Sequence, residues 1–126
     1  MKKTILIIDD NKTDAEMLRD QIAKIGLKTV VSTTGQDGLK KAHRLRPDLV
    51  LLDLILPDID GFDVCEEIKK DKDLTNTKII IVSVKGDVEK VGKVLQIKAD
   101  DYVVKTLVGE IPEDLIAKVK KHLALK

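Results

Sequence analysis

Aromatic residues are almost missing from this sequence. There is no tryptophan, and Phe62 and Tyr102 are alone of their kind among 126 residues. Base-stacking platforms for single-stranded nucleic acid are thereby removed, and Tyr102 becomes conspicuous. The one cysteine, Cys65, permits no internal disulfide and fits a reducing compartment. No apolar run approaches the ~20 residues of a membrane span, so no membrane insertion is expected. The apolar stretch Ile5–Ile8 near the start is shorter than the ~7–15 residues of a signal-peptide core, and a cytoplasmic protein is expected. Excess charge is lacking too: 23 basic against 22 acidic residues leave a net charge of +1, which provides no electrostatic reason for direct nucleic-acid contact. Linkers, repeats and low-complexity stretches are also absent.

What is present is the composition of a soluble globular protein, 43% hydrophobic and 36% charged, at a length that suits one domain over residues 1–126. Five β-branched runs, Thr4–Ile8, Lys28–Ser32, Leu49–Leu52, Lys78–Val82 and Tyr102–Val104, alternate with five segments of helical period. Continuous apolar character in Ile5–Ile8 and Ile79–Val82 predicts strands covered on both faces, as in parallel sheets. Ala15, Leu18, Ile22 and Ile25 form the stripe of a first helix, with a capping box at Thr13–Glu16 and a stop at Gly26. Leu39, Ala42 and Leu45 mark a second helix. Phe62, Cys65 and Ile68 mark a third, capped by Asp60. Val88, Val91, Val94 and Leu95 mark a fourth, and Pro112 opens a fifth through Leu123. Right-handed crossovers then predict a (βα)5 three-layer α/β/α sandwich around a five-stranded parallel sheet.

In such sheets ligands lie beyond the carboxyl ends of the strands. There the first strand carries Asp9 and Asp10, the third Asp53, the fourth Ser83 and the fifth Lys105. Two like charges about 4 Å apart repel by roughly 4 kcal/mol at an effective dielectric near 20, so three clustered carboxylates imply a cation. Oxygen donors without paired histidines or a second cysteine favour a hard ion, Mg²⁺ where a phosphoryl group must also be held. Lys105 would neutralise part of the remainder. Asp53, flanked by the other acids, is the candidate nucleophile, since a carboxylate can attack a phosphoryl centre; Asp9 and Asp10 are candidate metal ligands.

These segments, "IIDDN" (7–11), "LVLLDLILPDIDG" (49–61), "IIIVS" (79–83) and "DDYVVK" (100–105), resemble in order the signatures of response-regulator receiver domains of two-component signalling, which have a flavodoxin-like fold. The resemblance implies that Asp53 accepts a phosphoryl group from a sensor histidine kinase or phosphotransfer protein. It implies that Asp9, Asp10, Asp53 and the backbone carbonyl of Ile55 hold Mg²⁺ and that Lys105 contacts the phosphate. It further implies that Ser83 and Tyr102 form a switch reshaping the face of the fourth helix, fifth strand and fifth helix for a downstream protein target, and it permits a homodimer on phosphorylation. On this reading the chain is a phosphoacceptor that assists its own turnover, not an enzyme, and all of its length is used by the domain.

The pattern is departed from after Lys105, where Thr106 replaces the usual proline and the stretch Val108–Ile111 is longer than usual. Val84 replaces the usual small residue after the switch hydroxyl, which predicts slow transfer and slow hydrolysis. Ile55 and Lys85 point weakly the same way, and Lys98 stands where glycine is common. The alternative is a degenerate receiver, a protein-interaction module that works without phosphorylation. A flavin-binding protein is disfavoured because "DDNKTD" would repel the cofactor's phosphate, and an aspartate-nucleophile phosphatase because Ile55 stands where its second acid belongs. Asp58 is expected in a turn after Pro57, His43, His122 and the lysines of the tail in solvent, and Cys65 in the core.

Overall fold

The computed structural model describes residues 3–84, 99–105 and 114–125. The chain runs β1 (Thr4–Ile8), α1 (Lys12–Lys24), β2 (Lys28–Ser32), α2 (Gly35–Leu45), β3 (Leu49–Leu52), α3 (Gly61–Lys70), a single 3₁₀ turn (Lys72–Leu74), β4 (Lys78–Val84), β5 (Asp101–Lys105) and a last helix (Asp114–His122). All strand pairs are parallel in the order β2-β1-β3-β4-β5, the flavodoxin-like doubly wound arrangement. The expected fourth helix around Val88–Leu95, the Pro112 helix start, and Lys85, Lys98 and Thr106–Ile111 lie outside the described residues.

The continuous apolar strands are explained by two cores. Leu6 and Ile8 of β1, Val50 and Leu52 of β3, and Ile79 and Ile81 of β4 point toward α2 and α3, meeting Ala42, Phe62, Val64, Cys65 and Ile68. Ile5, Ile7, Leu49, Leu51, Ile80 and Val82 point the other way, toward α1 and the last helix, meeting Ala15, Leu18, Ile22, Leu115 and Val119. Alternate side chains therefore serve opposite layers, and β1, β3 and β4 have no wet face. Each fully buried Ile or Leu contributes roughly 1.5–3 kcal/mol relative to exposure, which makes a one-residue slip of a central strand prohibitive.

Local signals set the ends of the elements, in two places by residues other than those expected. The first helix begins at Lys12, with Asn11 as its N-cap accepting from the Asp14 N–H; the Thr13–Glu16 capping box is not used, which frees the Asp14 carboxylate for other work. Gly26 follows with φ +80°, a conformation that costs glycine little. Asp60 caps α3 as expected, accepting from Phe62 N at 2.8 Å. Asp58, expected only in a turn, reaches back to the start of α2, where its two oxygens accept from Gly35 N and Gln36 N, each at 2.8 Å. β4 and β5 each run farther than their apolar cores, so Ser83, Val84 and Lys105 lie within strands.

Two other expectations are corrected. His122 is not in open solvent: its Nε2 lies 2.9 Å from Asp101 Oδ2, with 15% of its side chain exposed. Lys118 likewise turns back, donating to the Tyr102 carbonyl at 2.7 Å and lying 3.4 Å from Asp101. His43, half exposed, pairs with Asp71. In each case a carboxylate contributed by a distant element draws a helical side chain onto the body of the domain.

Candidate functional site

Sheet register brings the site together. Ile8 of β1 pairs with Leu52 of β3, and the ladder continues one step further: Asp53 N donates to Ile8 O at 2.9 Å, and Asp9 N to Ser32 O at 3.0 Å. Asp9 and Asp53 are thus held side by side by backbone hydrogen bonds. In β4 and β5, Ser83 pairs with Val104 and Val84 with Lys105, which carries a hydroxyl and an ammonium to the same edge.

The side chains converge there. Carboxylate oxygens of Asp9, Asp10 and Asp53 lie within 4.8 Å of one another. Lys105 Nζ lies 3.1 Å from Asp9 Oδ2 and 3.5 Å from Asp53 Oδ2. Ser83 Oγ donates to Asp53 Oδ1 at 3.2 Å, and the Ile55 N–H approaches the same oxygen at 3.2 Å. Asp9, Ser83 and Lys105 are at most 4% exposed, Asp53 is 9% exposed, and Asp10 is exposed. Asp10, Asn11, Asp14, Asp53, Ile55, Val84 and Lys105 line an open cleft of about 290 Å³.

The electrostatics follow from this packing. Burial pushes the Asp53 carboxyl up to about 6; the Lys105 ammonium opposes that rise and the neighbouring Asp9 charge adds to it. Burial alone would lower Lys105, but the charges of Asp53 and Asp9 and the hydrogen bonds it donates to Asp14 and Asp9 outweigh it and hold the ammonium firmly protonated. Among the described residues the cluster is short of positive charge, with one ammonium amid the carboxylates of Asp9, Asp10, Asp14 and Asp53. Its donors are all oxygen and its one cation is already shared, a set that fits a hard divalent ion.

Tyr102 lies on the surface, 38% exposed, with Lys118 Nζ 5.4 Å from its ring centroid; Ser83 meanwhile points at Asp53. The structure thus places the two expected switch residues in different environments. Asp14 was missed by the sequence reading. Its Oδ2 lies 3.0 Å from Lys105 Nζ, nearer than either of the expected acids. A clue was available in its spacing, one helical turn beyond Asp10 on the helix that leaves the site, but the capping reading of Thr13–Glu16 hid it.

Comparison with known proteins bears on the family and the fold. Residues 5–120 match the family profile of the response regulator receiver domain. The chain is 38% identical over 123 residues to the DNA-binding response regulator MtrA of Mycolicibacterium smegmatis, a match covering 98% of this chain and 51% of that protein. It superposes on a putative response regulator from Chloroflexus aurantiacus with TM-score 0.87 and 28% identity, covering 98% and 99% of the two chains. It also superposes on the response regulator TrrA of Thermotoga maritima, solved in complex with Mg²⁺-BeF, with TM-score 0.81 and 32% identity, covering 95% and 98%. The chain spans about half the length of the curated relatives it matches. A flavodoxin-like parallel sheet, an acid cluster at its carboxyl edge and a family match over nearly all of its length lead to one conclusion: this chain belongs to the response regulator receiver domain family of two-component signalling.

Proposed function

We propose that Asp53 is the phosphoacceptor of a Mg²⁺-dependent phosphorelay step. The observation that carries this reading is the meeting of the Asp9, Asp10 and Asp53 carboxylates within 4.8 Å, with the Lys105 ammonium against Asp53. Asp9, Asp10, Asp53 and the Ile55 carbonyl would hold Mg²⁺, which, when bound, offsets negative charge on the carboxylates and the incoming phosphoryl oxygens. An Asp53 carboxylate oxygen forms the new bond to phosphorus while the phosphorus–nitrogen bond of a phosphohistidine donor breaks. The electron pair stays with the imidazole nitrogen. Burial keeps bulk water from the carboxylate, Lys105 meets charge on the transferred group, and Ser83 shifts its hydroxyl from Asp53 to a phosphoryl oxygen.

The domain, residues 1–126, takes its phosphoryl group from a sensor histidine kinase or phosphotransfer protein and acts as a signalling acceptor rather than an enzyme. Ser83 and Tyr102 communicate the change to the face that includes β5, where a downstream protein or a second copy binds. We assign this domain no nucleic-acid contact of its own, in keeping with its net charge of +1, although MtrA is named as DNA-binding. Among the described residues no helix is long and apolar enough to cross a membrane.

Incubation with Mg²⁺ and a small acyl-phosphate donor, followed by intact-mass measurement, tests the assignment. The wild type gains the mass of one phosphoryl group and Asp53→Asn does not. Label on both proteins, or on neither, contradicts the reading; neither would favour a phosphorylation-independent module, for which Val84 in the lining of the cleft is the supporting feature.

A further inference from the structure

Among the described residues Lys105 is the one buried cation of the site, and its three carboxylate neighbours are not equivalent. Asp14 Oδ2 is 3.0 Å from Nζ, Asp9 Oδ2 3.1 Å and Asp53 Oδ2 3.5 Å. One of the two short contacts thus goes to an acid outside the three that gather for a metal, and the longest goes to Asp53. Asp14 is held in place by its own helix: it occupies the first turn of α1, its N–H donates to the Asn11 side chain at 3.1 Å, and its side chain is 13% exposed. A carboxylate so placed contacts the ammonium directly and can reach a metal only through its charge.

Two consequences of opposite sign follow from this placement. A fourth negative charge deepens the well for a divalent cation. The same charge works against a phosphoryl group on Asp53, because the incoming oxygens need the ammonium that Asp14 holds, and Lys105 can meet them only by giving up part of that contact. Asp14 is then left facing added negative charge. We propose that Asp14 is a positioning residue which holds Lys105 back from Asp53 in the unphosphorylated protein, favouring metal binding while restraining phosphoryl acceptance. The inference rests on the assignment of Asp53 as phosphoacceptor. An acid in the first turn of a helix also has an ordinary use, complementing the helix dipole, but that use predicts no opposed effects on the two functions.

The test compares the wild type with Asp14→Asn, Asp14→Glu and Asp53→Asn. Affinity for Mg²⁺ is measured by calorimetry without a phosphoryl donor, and the rate of phosphorylation by acetyl phosphate is measured by intact mass with Mg²⁺ saturating for each variant. For Asp14→Asn, Mg²⁺ affinity falls about 3- to 10-fold while the phosphorylation rate rises by a similar factor, as expected for removing one partly screened charge. Asp14→Glu, which keeps the charge, returns both quantities toward wild type. Both quantities falling together, or either staying within about twofold of wild type, overturns the proposal and leaves Asp14 as a helix-terminal acid. The wild-type and Asp53→Asn arms read the phosphoacceptor assignment separately: if wild type takes up no phosphate, that assignment fails and this inference falls with it.

Discussion

At the scale of single residues, the site is a set of charges that the fold forces together at a cost. In metal-free buffer Asp53 has its carboxyl raised to about 6, above the ordinary value near 3.9. Between roughly pH 4 and 6 the folded state therefore binds more protons at this group than the unfolded state, so its contribution to stability falls as pH rises and the penalty is complete above about 6. Asp53→Asn is expected to be more stable than wild type by about 1–3 kcal/mol at neutral pH and to lose that advantage toward pH 4; thermal melts of both proteins in chelator across this range check it. Lys105→Met is expected to act in the opposite direction. It strands Asp9, Asp14 and Asp53 without their shared cation and should cost about 3–5 kcal/mol in urea unfolding at neutral pH. Val84 lines the cleft beside Asp53 and Lys105, and Val84→Ala is expected to speed both phosphorylation and hydrolysis; unchanged rates would dismiss the steric argument.

At the scale of elements, the segment joining β3 to α3 is tied at several points, and each tie bears on where Asp53 sits. Asp58 bonds the start of α2, Asp60 caps α3, and Gly61 N donates to Leu54 O at 2.9 Å. A Cβ on Gly61 would come within 2.5 Å of the Asp53 carbonyl oxygen and 2.6 Å of Leu54 Cα, so only glycine permits so close an approach of the two backbones. Asp58→Ala removes two charge-assisted bonds from the positive end of α2 and is expected to lower the urea midpoint of unfolding. Asp100 provides a comparable tie for β5: it accepts from Ile79 N at 2.8 Å and pairs with Lys69 at 2.7 Å. The strand that delivers Lys105 is in this way anchored to β4 and α3.

At the scale of the whole molecule, the two cores make the carboxyl edge of the sheet a rigid platform on which charge can be concentrated. A cation that binds the folded edge and not the unfolded chain must raise stability, by about 2.7 kcal/mol at a hundred times its dissociation constant. Wild type should therefore melt at a higher temperature in Mg²⁺ than in chelator, and the Asp9→Asn, Asp10→Asn double variant should show almost none of that increase. The same platform encloses Cys65 of α3, which is fully buried, and burial pushes its thiol up to about 12, so slow reaction with a thiol reagent in the folded protein is expected.

Among the described residues the order of strands and helices, the parallel sheet and the residues leaving each strand were readable from the sequence, because a strand covered on both faces shows itself as an unbroken apolar run and the chain must turn polar where that cover ends. Asp9, Asp10, Asp53 and Lys105 stood at such ends. What one dimension could not show was which groups meet across elements. Asp14 read as part of a cap until Asn11 took that place and register brought Lys105 beside it; Asp58 read as a turn until α2 was found within its reach; His122 and Lys118 read as solvated until Asp101 drew them in. Strand character is a property of neighbouring residues and is written locally, whereas the partner of a charge is decided by three-dimensional packing, which only the folded chain possesses.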